Sequence, residues 1–153
     1  PYIVGRMTEL LRVRRGDHVL EIGTGSGYQA AVLAELGCTV VSIERHASLA
    51  ASARERLGRL GFGERVEIRV GDGSVGDPGG APWRAILVAA AAPSVPPALR
   101  DQLDPGGGRL VVPVGDRDRQ DLIVVTRDGD AWTEESDGPV VFVPLIGEGG
   151  FAS

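Results

Sequence analysis

Lysine and asparagine are both missing from the 153 residues, and all 16 basic side chains are arginines. They form no strong run, and 21 acidic residues leave a net charge of −5. Neutralising a phosphate backbone needs clustered Lys or Arg, so nucleic acid is not an expected partner. A single cysteine, Cys38, excludes an internal disulfide framework. With only two histidines beside it, a metal site is not expected either. No apolar run approaches the ~20 residues of a membrane span, and no secretory leader is visible. The expected compartment is therefore the cytoplasm, with no membrane partner.

What the chain has in excess is glycine, 23 residues, about twice the usual share of ~7%. Hydrophobic residues at 42% and charged residues at 24% are ordinary for a globular protein. The length fits one domain, residues 1–153, expected as a monomer.

The hydrophobic pattern alternates between two periods. Residues 5–14 read as a short amphipathic helix, 18–22 as a strand, and 28–36 as an Ala-rich helix ending at Gly37. Residues 39–43 are a β-branched strand, and 47–60 place Leu49, Ala53, Leu57 and Leu60 on one helical face. Val66, Ile68 and Val70 alternate as a third strand, and 85–89 form a continuous apolar run suited to a strand buried on both faces. Pro96-Pro97 opens a helix that ends near Leu103. Strands are expected at 109–114, 122–126 and 140–145. Strand–helix alternation followed by turn-linked strands predicts an α/β fold. It is a doubly wound, mostly parallel Rossmann-like sheet with an antiparallel C-terminal edge. Such sheets bind ligands at the carboxyl ends of their strands.

The glycines concentrate there. Glu21-Ile22-Gly23-Thr24-Gly25-Ser26-Gly27 follows the first strand. Alternating glycines permit a sharp bend and a close ligand, although a plain tight turn would also use them. A dinucleotide fingerprint, G-x-G-x-x-G, would need its third glycine where Tyr28 stands. The run here is G-x-G-x-G behind an acidic residue, which suits S-adenosylmethionine, a cofactor without phosphate. Glu44 ends the second strand, placed to accept ribose hydroxyls or to face solvent opposite Arg45. Asp72-Gly73 follows the third, placed to border an adenine or simply to turn the chain.

These residues, in order, resemble the protein-L-isoaspartate (D-aspartate) O-methyltransferase family. The resemblance runs through Pro1-Tyr2-Ile3-Val4, Met7 to Leu11, Val19 to Gln29, Ser42-Ile43-Glu44-Arg45 and Gly71-Asp72-Gly73. It continues through Ala90-Ala91-Ala92-Pro93, Pro105 to Leu110, Val112-Pro113-Val114-Gly115 and Phe142-Val143-Pro144-Leu145. It implies a class I methyltransferase that moves a methyl from S-adenosylmethionine to the α-carboxylate of L-isoaspartyl residues in damaged proteins, leaving S-adenosylhomocysteine.

By that resemblance Glu21, Gly23, Thr24, Gly25, Gly27, Glu44, Arg45, Asp72 and Gly73 surround the cofactor. Ala91, Ala92, Pro93 and Val143 line the isoaspartyl cleft. The family's active-site Ser is expected just upstream of Pro1, within an N-terminal cap that precedes this chain, so no catalytic residue is named here. His18 and His46 have no catalytic company and read as surface or strand-edge residues. Two other functions fit the same residues: an aspartate methyltransferase acting on ribosomal peptide products, and a non-catalytic S-adenosylmethionine-binding module.

Overall fold

The computed structural model describes residues 1–153. Seven strands form one sheet in the order β3-β2-β1-β4-β5-β6-β7. Five are parallel: β1 (His18–Ile22), β2 (Thr39–Glu44), β3 (Val66–Val70), β4 (Ala85–Val88) and β5 (Gly106–Gly115). The last two, β6 (Gln120–Asp128) and β7 (Ala131–Val140), extend β5 as an antiparallel meander. Strand order reverses beside β1, which makes the carboxyl ends of β1 and β4 the switch point.

Right-handed crossovers put the helices on opposite faces for the two directions of winding. On one face lie α1 (Tyr2–Leu11), α2 (Tyr28–Glu35) and α3 (Ala47–Arg59). Met7, Leu33 and Leu57 from these helices pack with Val19, Val40, Leu87 and Val111. The other face is covered more thinly, by α4 (Pro97–Asp101) and two 3-10 turns. There Leu99, Leu103 and Trp83 cover Leu20, Ile86 and Leu110. β4 is buried on both sides, which explains its unbroken apolar run, and β1 is buried from Val19 to Ile22 with Glu21 among its buried side chains.

Three elements differ from the sequence reading. The first helix spans Tyr2–Leu11 and stops where Arg12 turns left-handed, φ 53°, its N–H bonding Glu9 O at 3.1 Å. In α3 the buried stripe is Ala50, Ala53 and Leu57, while Leu49 and Leu60 are exposed. The small alanines let α3 lie close to the sheet, and the leucines flank that contact.

The seventh strand is Ala131–Val140, not 140–145. It is the solvent edge of the sheet, largely exposed along Thr133–Asp137, so it lacks the apolar alternation that marks a strand. Residues 141–145 instead run as an extended segment along the carboxyl ends of the strands, joined by a single bridge between Pro144 and Ala91. Val141 and Val143 on it are 79% and 69% exposed.

Candidate active site

The turn after β1 is shaped by its glycines. Gly23, Gly25 and Gly27 all have positive φ, at 90°, 53° and 86°. A Cβ on Gly25 would meet no protein atom, so its bare face is open space. A Cβ on Gly27 would meet Leu57 and Ala53 of α3, so that glycine serves packing between loop and helix.

Above this turn lies a cavity of about 450 Å³ at the switch point. Gly23 and Gly25 form one side, and Glu44, Arg45, His46 and Leu49 another. Ala89 and Ala90 after β4, with Gly73, close the base, and Val143–Ile146 form the far wall. A second depression, about 520 Å³, surrounds His18, Thr39, Arg54 and Glu67 at the amino ends of β1–β3. It has no glycine turn, and ligands of parallel sheets sit at the opposite ends, so the first cavity is the candidate site.

The cavity brings together six of the residues singled out from sequence: Gly23, Gly25, Glu44, Arg45, Gly73 and Val143. Glu44 is 5% exposed at the end of β2, so it is a buried carboxylate that lines the pocket. Glu21 and Thr24 lie beneath the surface. Ser42 Oγ is 2.5 Å from Glu21 Oε1 and 2.5 Å from Thr24 Oγ1. Burial pushes the Glu21 carboxyl up to about 8; the Ser42 hydrogen bond opposes this, and the negative Glu44 adds to it.

Asp72 faces the C-terminal segment. Its Oδ1 accepts from Ser74 N at 2.9 Å and Ser74 Oγ at 2.6 Å, and its Oδ2 accepts from Glu148 N at 2.9 Å. Ser74 Oγ in turn accepts from Gly149 N at 2.8 Å. Burial opposes ionisation of Asp72, but these bonds and nearby Arg45 outweigh it and hold the carboxyl below its ordinary value. Asp72 therefore acts as a clasp that ties residues 147–149 beside the cavity.

Ala91 and Ala92 are buried and give backbone support. Ala91 N donates to Val143 O at 2.8 Å, Leu145 N donates to Ala91 O at 2.7 Å, and Ala92 N donates to Pro113 O at 2.9 Å. These bonds lash the Val143–Leu145 wall to the end of β4. Pro93 is exposed beyond them. His18 starts β1 and stacks on Trp83 with centroids 4.3 Å apart, far from the cavity. His46 and Leu49, which the sequence reading did not place in a site, both line it. Their signal was position alone: they follow Glu44 directly into α3.

A doubly wound sheet with an antiparallel edge, a G-x-G-x-G turn after β1 and an acid at the end of β2 matches the Rossmann-like class I of S-adenosylmethionine-dependent methyltransferases. A family model, protein-L-isoaspartate (D-aspartate) O-methyltransferase, matches residues 1–150, and the chain belongs to that family. A protein-L-isoaspartate O-methyltransferase of Methanoregula boonei is 54% identical over 151 residues, covering 99% of this chain and 69% of its own. One from Methanoculleus marisnigri is 55% identical over 152 residues, covering 99% and 68%. The chain thus spans about two thirds of the length of these relatives.

A solved protein-L-isoaspartate O-methyltransferase superposes with a TM-score of 0.88 at 29% identity, covering 98% of this chain and 48% of that one. A Plasmodium falciparum chain, solved with S-adenosyl-L-homocysteine, shares the fold at a TM-score of 0.72 and 23% identity, covering 94% and 71%. No helix is long and apolar enough to cross a membrane.

Proposed function

We propose that residues 1–153 are the S-adenosylmethionine-binding domain of an enzyme that methylates the α-carboxylate of L-isoaspartyl residues in damaged proteins. The observation that carries this reading is the cavity at the switch point, with a bare glycine turn on one side and the exposed Val143 wall on the other. The residues fit the cofactor. Gly25 leaves room where any Cβ would intrude, Glu44 offers acceptors for vicinal hydroxyls, and Ile22, Ile43 and Leu49 offer apolar contact to a flat ring.

When bound, S-adenosylmethionine supplies a methyl already activated on a sulfonium. The chain's own task is then placement. A substrate carboxylate is anionic near neutral pH, so no general base is demanded of the protein. Val143 and Leu145 would exclude water from that carboxylate, and the lashing of their segment to Ala91 fixes its distance from the glycine turn. The reading takes the enzyme as a cytoplasmic monomer acting on extended protein segments, and the net charge of −5 with no basic cluster does not favour nucleic acid.

The test offers an isoaspartyl peptide and its normal aspartyl twin, each with labelled cofactor. Label on the isoaspartyl peptide alone is the expected result. Methylation of the aspartyl twin alone would overturn the reading.

A further inference from the structure

Glu21 is fully buried on β1 and has one partner for its two carboxyl oxygens. Oε1 meets Ser42 Oγ at 2.5 Å, and that hydroxyl meets Thr24 Oγ1 at 2.5 Å. Oε2 meets no donor. Thr24 stands between Gly23 and Gly25, the two glycines that border the cavity. Three side chains therefore run from an orphaned buried oxygen to the cofactor turn.

No cation faces this group. On β2 its charged neighbour is Glu44, itself negative. Its cross-strand partner on β4 is Leu87. Of α1 and α2, which cover that face, the ionisable residues Tyr2, Arg6, Glu9, Tyr28 and Glu35 sit at or near the surface, and Arg6 pairs there with Asp137 and Glu9. On α3, Arg54 bonds Ile68 O and Arg56 bonds Ser26 O. A buried carboxylate with a single donor and no countercharge is strongly disfavoured against the neutral acid. Burial accordingly pushes the Glu21 carboxyl up to about 8.

We infer that Glu21 is a positioning residue that braces the glycine turn through Ser42 and Thr24 as a neutral acid, and gives its proton to solvent when a cationic ligand fills the cavity. Both contacts survive the change, because hydroxyls donate or accept; only the direction of donation reverses. The inference rests on the reading of the cavity as an S-adenosylmethionine site. That cofactor carries a net positive charge from its sulfonium. The product of methyl transfer lacks the sulfonium charge, so Glu21 regains a proton from solvent before product leaves.

Titration calorimetry of the protein with S-adenosylmethionine and with S-adenosylhomocysteine, at pH 7 in two buffers of different ionisation enthalpy, counts the protons. The expected result is release of a large fraction of one proton with the methylated cofactor and clearly less with the product. Affinity for the methylated cofactor alone then rises several-fold between pH 6 and 8. Glu21→Gln loses both the proton release and the difference in pH dependence. Ser42→Ala, which cuts the brace but leaves the acid, weakens both ligands while keeping the release. Equal release with the two ligands, or release unchanged in Glu21→Gln, overturns the inference while leaving the cofactor reading intact. If neither ligand binds, the cofactor reading itself fails, and the inference with it.

Discussion

Asp137 on the outermost strand holds Arg6 of the first helix through both carboxylate oxygens. Arg6 Nε donates to Oδ2 at 2.8 Å and Nη2 donates to Oδ1, across 131 positions of sequence. The fork geometry of the guanidinium matches the carboxylate, so the contact is directional as well as charged. It pins α1 to β7, the edge strand of the meander.

The pair is partly open to solvent, so its effect on stability is modest and screened by salt. Asp137→Asn is expected to lower the unfolding temperature by a few degrees, roughly, at low ionic strength. The difference should shrink at high salt. Hydrogen bonding to Arg6, aided by its charge, holds the Asp137 carboxyl below its ordinary value. The contribution is therefore present above the ordinary aspartate pKa and lost as pH falls through the depressed one. Thermal melts of the wild type and variant between pH 2.5 and 7 check the sign.

The same pair should bear on where this protein ages. Isoaspartate forms when the backbone nitrogen of the following residue attacks the aspartyl side chain, most readily from a protonated, mobile carboxyl before glycine. Of three Asp-Gly steps, Asp72 is bound by three donors and Asp137 by Arg6. Asp128 is exposed at the β6–β7 turn. Peptide mapping of aged protein should find isoaspartate at Asp128 well before Asp137. Arg6→Ala should raise the rate at Asp137 specifically.

Gly25 separates cofactor binding from folding. Its φ is 53°, and an added Cβ would project into open space. Gly25→Ala should cost about 1 kcal/mol of stability from the left-handed backbone. Its effect on S-adenosylmethionine affinity should be larger, tenfold or more by calorimetry, because the methyl enters the cavity. A variant that binds normally would remove Gly25 from the site.

Glu21 should also mark the stability profile of the ligand-free protein. Its folded carboxyl lies near 8, raised by burial from an unfolded value near 4.5. The folded state thus binds the extra proton, so this stabilisation is complete below about 4.5 and is lost as pH rises toward 8. Urea midpoints at pH 5, 7 and 9 should fall for the wild type. They should fall less for Glu21→Gln.

Most of the parallel half was legible in the sequence, because burial on both faces leaves an apolar run at 85–89 and glycine turns punctuate the strand ends. The glycine spacing, Glu44 and Gly73 pointed to the cavity for the same reason: strand ends are local features. Two kinds of information were not local. β7 carries Thr133, Glu134, Glu135 and Ser136, a polar run that becomes a strand only because β6 offers it a ladder. The roles of Asp72 and Ala91 depend on Glu148 and Val143, more than fifty residues away, which no motif encodes. Nor does the G-x-G-x-G pattern say that Thr24 turns inward while its neighbouring glycines border the cavity.

The polar outer strand has a further meaning for a protein whose proposed substrates are loosened, extended chains. An open sheet edge is a template on which such chains can assemble. Here the outer strand carries Glu134, Glu135 and Asp137, and near its end Pro139 has no N–H to offer. The opposite edge, β3, is five residues long and presents Glu67 and Arg69, paired at 3.0 Å. Both margins disfavour strand addition by an extended chain. A sheet with such edges is expected to stay out of the aggregates that loosened chains form.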